Sequence, residues 1–232
     1  MRRPLYRYRL DADGQSGKTS PVTAVLAIVG CGARLEIALG GEFAPAPGVV
    51  VLSGPTPRSE LVVAAIDLLL RSAGLDPSEL TKVLATRGPG SFTGIRVALA
   101  TAQGLARALG CPACGLPSLA VLAARSPGGR RVAVQGARRG FVYRQTFEER
   151  QGQLEAVDEP RLEEVAALAQ LPDPVVAAEG LQLPEGVRRA LPVRSAVEAL
   201  LELGRDEEGD VESLTPIYLE PPQAQPPRRR AG

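Results

Sequence analysis

The sequence predicts an α/β protein of two related lobes, each a mixed sheet flanked by helices. Three observations carry that expectation. The continuous apolar run Ala24–Val29 and the alternating stretch 35–39 flank a glycine turn, as strands of a hairpin do. Residues 82–86, 88–96 (GPGSFTGIR) and an Ala/Leu-rich segment ending at Gly110 read as strand, glycine-rich turn and helix. A looser echo of the same order follows Gly129. Antiparallel strands leading into parallel βα units, twice over, do not fit a dinucleotide-binding fold.

The elements follow in order. Residues 1–21 do not resemble the rest and are expected to be a disordered extension. Within them, 12–19 (ADGQSGKT) match a relaxed P-loop with alanine for the first glycine. Its flanks are an arginine-studded strand and Pro21, not a buried strand and a helix, so the match reads as chance. An N-terminal lobe is expected over 22–126. It holds the hairpin, a third strand at 48–53, a helix over 58–73 that is apolar nearly all round, a short turn at 76–79 and the strand–loop–helix unit. A strand at 112–116 and a helix at 118–124 close the lobe. Ser126-Pro127-Gly128-Gly129 marks the boundary. A C-terminal lobe over 127–220 is expected to hold strands at 131–135, 140–147 and 153–157, a helix at 161–170, a strand at 174–178 and a helix at 195–203 capped by Ser195. Residues 221–232 are Pro/Gln/Arg-rich and read as a disordered tail.

Composition bounds the chemistry. The 232 residues carry 27 Lys+Arg and 26 Asp+Glu, a net charge of +1, which gives no general attraction to polyanions. Histidine is absent, which removes the commonest general base and metal ligand. Cys111 and Cys114 have C-x-x-C spacing, but only Cys31 remains to join them, so a structural zinc site is not expected. The pair reads as redox-active or as two buried side chains entering a strand. The odd cysteine count and the lack of a signal peptide fit a reducing cytosol. The apolar runs are too short to span a bilayer.

The glycine-rich loop has two readings. Gly88, Gly90 and Gly94 permit unusual backbone conformations, and Ser91 and Thr93 can each cap the following helix. Such a junction suits an anion. It equally suits a tight βα turn with Arg96 on the surface, and Arg96 in the first turn implies a nearby carboxylate, phosphate or partner. The helix at 58–73 needs a second cover beyond the sheet, because it is apolar on more than one side. Ala100, Gly104 and Ala108 form a row of small residues that allows close helix approach. The expected partner-facing residues are Leu61, Val62, Ala65, Ile66 and Leu69 on the first helix. Val97, Ala100, Thr101, Gly104 and Ala108 are those on the second.

The loop at 88–96, with 97–106 behind it, closely resembles the bacterial TsaB-type proteins, over about residues 22–219. Leu26-Ala27-Ile28, Arg58-Ser59-Glu60-Leu61, Ala137-Arg138 and Pro216-Ile217-Tyr218-Leu219 agree with it. The resemblance implies two tandem RNase H-like lobes of the actin/sugar-kinase-like ATPase fold. It implies a non-catalytic scaffold for threonylcarbamoyladenosine formation at the tRNA adenosine beside the anticodon. The expected partners are a TsaD-type catalytic subunit, a TsaE-type ATPase in the assembly, or a second copy in a homodimer, with tRNA reached only through the complex. The departures sharpen this. Val29-Gly30 stand where the family usually has Asp-Thr, Gly136-Ala137-Arg138 where Asp-Ala-Arg is common, and Ala178-Glu179-Gly180 where Gly-Asp-Gly is common. Without the hairpin carboxylate, Mg²⁺-nucleotide hydrolysis is not expected, so no catalytic residue, cofactor or metal is assigned. The loop then reads as a rigid turn that launches the second interface helix. The alternatives are an ATP-binding or glycoprotease-like enzyme of the same fold, and direct tRNA binding through Arg138, Arg139, Arg144 and the arginine tail at Arg228-Arg229-Arg230.

Overall fold

The computed structural model describes residues 7–9 and 23–220. The P-loop-like stretch and the proline-rich tail lie outside the described residues.

Five strands make the first sheet. β2 (Ala24–Val29), β3 (Leu35–Gly41) and β4 (Gly48–Leu52) form an antiparallel meander; β5 (Leu80–Thr86) and β6 (Ala113–Leu116) extend it in parallel. The order β4-β3-β2-β5-β6 puts β2 in the middle, as its unbroken apolar run requires, beside β5, whose Val83, Leu84 and Ala85 are fully buried. α1 (Arg58–Ala73) packs on β3 and β4, and α2 (Phe92–Leu109) on β5, β2 and β6. The two helices touch each other. Gly74 and Gly110 end them in the left-handed conformation, where a Cβ would be strained.

The second sheet runs β1-β9-β8-β7-β11, with β10 also pairing β8. Its strands are β1 (Arg7–Arg9), β7 (Arg130–Gly136), β8 (Phe141–Arg150), β9 (Gln153–Ala156), β10 (Arg161–Glu164) and β11 (Val175–Ala177). Here three expectations are corrected. Residues 161–170 are not a helix. Arg161–Glu164 pair with residues 141–144 of β8, and only Val165–Gln170 coil, as a 3-10 turn. The pairing gives Glu163 its contact with Arg144, which no local helix propensity can supply. The extension expected to be disordered contributes β1, paired with β9. The last helix, α4 (Ala196–Gly204), belongs by sequence to the second lobe but packs on β2, β3 and β5 of the first.

α3 (Ser118–Ala124) joins the lobes. All seven of its residues are buried, with α4 on one side and β7, β8 and β9 on the other. One apolar core therefore runs from the first sheet through α3 to Ala133, Phe147 and Leu154 of the second. Arg131, 1% exposed, anchors this joint. Its Nε donates to the Ala123 carbonyl at 2.7 Å, and Nη2 pairs with Glu149 at 3.0 Å.

Candidate partner interface and glycine-rich loop

The loop between β5 and α2 is closed by backbone. Gly88 (φ +104°) and Gly90 (φ +150°) adopt conformations that exclude other residues. The Gly88 N–H donates to Ser118 Oγ at 3.1 Å, and the Ser118 N–H returns to the Gly88 carbonyl at 2.8 Å. The Ser91 N–H donates to the Cys31 carbonyl in the β2–β3 turn at 2.8 Å. A Cβ on Gly94 would lie 2.1 Å from the Gly30 oxygen, and one on Gly30 2.2 Å from the Gly94 oxygen. The hairpin and the helix start are thus pressed together where an anion cradle would need room. Gly30 stands where the resemblance expects threonine, and no side chain fits there.

Ser91 caps α2, its Oγ accepting from the Gly94 N–H at 3.3 Å. Thr93 does not cap; it lies within the first turn of the helix. Among the described residues Arg96 meets no carboxylate, one of the three contacts expected of it. Its guanidinium lies 3.9 Å above the Phe92 ring, and its Nε donates to Tyr218 Oη at 3.3 Å. The aromatic pair and phenol accept the cation that the positive helix end repels.

The cleft beside the hairpin has a volume of about 140 Å³, well below the roughly 300 Å³ of an ordinary ligand pocket. Arg34 and Glu179 form an ion pair between the lobes at its wall. Burial raises the Glu36 carboxyl above its ordinary range, against the pull of Arg125. All three cysteines are free, and burial raises each thiol, so none has the depressed value of a redox nucleophile. Among the described residues no group of three or more Cys, Asp or Glu is placed to hold a metal.

The ten expected partner-facing residues divide. Val62, Ala65, Ile66 and Leu69 are 3–6% exposed and pack in the protein's own core. Leu61, Val97 and Thr101 are half-buried, and Ala100, Gly104 and Ala108 are exposed. Val63 and Leu68, 69% and 59% exposed, supply the outward apolar surface of α1. The signal for them was present: Glu60, Asp67 and Arg71 mark the solvent stripe of α1, and Val63 and Leu68 flank it. Arg144, a candidate for tRNA contact, is buried and paired with Asp158 and Glu163 at 3.3 Å each.

Two mixed sheets, the first ordered β4-β3-β2-β5-β6 with helices on both faces, define an RNase H-like, actin-like α/β protein. A protein-family model described as TsaD, tRNA N6-adenosine threonylcarbamoyltransferase, matches residues 56–194, more than half of the chain. The chain belongs to this family and is a TsaB-type member of it. It is similar to the tRNA threonylcarbamoyladenosine biosynthesis protein TsaB of Bacillus subtilis strain 168, at 35% identity over 102 residues, 43% of this chain and 44% of that one. It is also similar to TsaB of Escherichia coli strain K12, at 33% identity over 93 residues, 38% of this chain and 40% of that one. The matched stretches therefore span less than half of these relatives. The solved structure of YeaZ from Pseudomonas aeruginosa superposes with a TM-score of 0.68 at 26% identity, over 85% of this chain and all of that one.

Proposed function

We propose that this chain is a non-catalytic scaffold subunit in threonylcarbamoyladenosine formation on tRNA. It acts in the cytoplasm by docking α1 and α2 on a TsaD-type catalytic partner, with a TsaE-type ATPase joining the assembly and a homodimer as the resting alternative. The observation that carries this is the outward surface of the two helices. Val63 and Leu68 stand exposed, and the small residues Ala100, Gly104 and Ala108 leave α2 open to close approach. Two helices from each chain would bury about 800 Å² per partner. The closed glycine loop and the 140 Å³ cleft favour a scaffold over a nucleotide-hydrolysing enzyme. Co-expression with a TsaD-type protein, followed by co-purification and a tRNA modification assay with and without this chain, tests the reading. Loss of modified tRNA when the chain is omitted is expected. A monomer that fails to co-purify, or ATP turnover by the chain alone, would overturn it.

A further inference from the structure

Arg138 and Tyr143, on the β7–β8 hairpin, hold a single carboxylate between them. Arg138 Nε donates to Oε1 of Glu220 at 3.0 Å, and Tyr143 Oη donates to Oε2 at 3.1 Å. Two donors on two oxygens of one group is the arrangement of an oxyanion receptor. The receptor is built independently of its occupant. The Arg138 guanidinium lies 3.8 Å above the Phe141 ring, which sets its plane. The turn beneath is closed by the Phe141 N–H to the Arg138 carbonyl at 2.9 Å and the Ala137 N–H to the Phe141 carbonyl at 3.2 Å. Burial, then the hydrogen bond to Glu220, raises the Tyr143 phenol, so it remains a donor at neutral pH.

Glu220 arrives from elsewhere. A strap following α4 crosses the first lobe. Gln103 Nε2 donates to the Leu214 carbonyl at 3.0 Å, and the Ile217 N–H donates to the Arg87 carbonyl at 2.7 Å. Beyond Ile217 the strap reaches the second lobe through the exposed Tyr218 and then Glu220. Arg138 is 44% exposed, so this ion pair is of the weak, displaceable kind.

We propose that Arg138 and Tyr143 form a phosphate-binding site that Glu220 covers as an internal pseudo-ligand. A free carboxylate would compete against a tethered one of the same chemistry, at the high effective concentration that a tether gives. A phosphate group carries about −1.5 to −2 at neutral pH and three acceptor oxygens, so it displaces Glu220 where a carboxylate does not. The strap then loses its hold on the second lobe. The inference stands apart from the docking of α1 and α2, because the site is on the other lobe.

The test is calorimetric titration of inorganic phosphate, with acetate as the carboxylate arm, into the full chain and its Glu220→Gln, Glu220→Gln/Arg138→Gln and Glu220→Gln/Tyr143→Phe variants. Backbone amide NMR spectra check that each variant is folded. Glu220→Gln is expected to bind phosphate about fivefold more tightly than the parent, with acetate weaker. Either second substitution returns the affinity to the parent value. Equal phosphate affinity in parent and Glu220→Gln overturns the proposal. So does a gain that persists without Arg138, which would place the ion elsewhere.

Discussion

At the residue scale, backbone contacts decide what the glycine-rich loop can be. A methyl group on Gly94 meets the Gly30 oxygen at 2.1 Å, and neither main chain can retreat without opening the sheet. Gly94→Ala is expected to destabilise the chain by about 2–4 kcal/mol, read from the urea midpoint. Gly104→Ala is the contrast, since a Cβ there meets nothing within 4 Å. It should stabilise the free chain by up to about 1 kcal/mol through helix propensity alone. Glu36 supplies a pH signature. Its folded value is raised, chiefly by burial, so the folded state prefers the neutral acid. The associated stability is fully present below the unfolded value of about 4.3 and is lost as pH rises through the folded value. Glu36→Gln should remove that loss, so its urea midpoint gains on the parent toward neutral pH and not under acid conditions. An identical pH profile for the two proteins would contradict this.

At the element scale, α1 separates stability from binding. Leu69→Ala empties core volume and should cost about 2–4 kcal/mol of stability. Leu68→Arg changes an exposed position and should leave the midpoint within about 0.5 kcal/mol, while abolishing co-purification with the proposed TsaD-type partner. The sequence made α1 legible as a helix over Arg58–Ala73, because its cause is local: an apolar run ended by Gly74. Glu60, Asp67 and Arg71 mark its outer side in the sequence, but Val63 and Leu68 beside them are as apolar as the residues that face inward. Residues 161–170 fail for a related reason. Their apolar spacing fits a helix, but the free edge of β8 recruits Arg161–Glu164 as a strand. Ser195 shows the opposite case. Its capping box with Glu198 closes within three residues, so sequence alone placed the start of α4.

At the scale of the whole molecule, the lobes are not independent. The loop 126–129 separates the strands of the two sheets, yet α4 crosses back to cover β2, β3 and β5. A fragment of residues 23–126 would expose that face of the first sheet, including Leu84 and Ala38, both fully buried in the chain. It is expected to be aggregated or molten, judged by lost near-UV circular dichroism and by dye binding. A cooperatively folded fragment would show that α4 is dispensable. Arg131 makes the same point from the other side. It holds the end of α3 to β7 through the Ala123 carbonyl and Glu149. Removing it takes the cation from Glu149, which keeps the Gly128 N–H, and takes a donor from the Ala123, Gly128 and Gly129 carbonyls at the joint.

The sequence by itself determined the hairpin, the helices α1, α2 and α4, the caps at Ser91 and Ser195 and the strand–loop–helix unit. Each of these is written in residues no more than a few positions apart, through periodicity, glycine conformation and side-chain caps. Only the tertiary structure decided that Gly30 and Gly94 touch and close the loop, that α4 serves the first sheet, and that Glu220 reaches Arg138 and Tyr143. These contacts join residues from 64 to more than a hundred positions apart, and they depend on which faces remain uncovered once the sheets have formed.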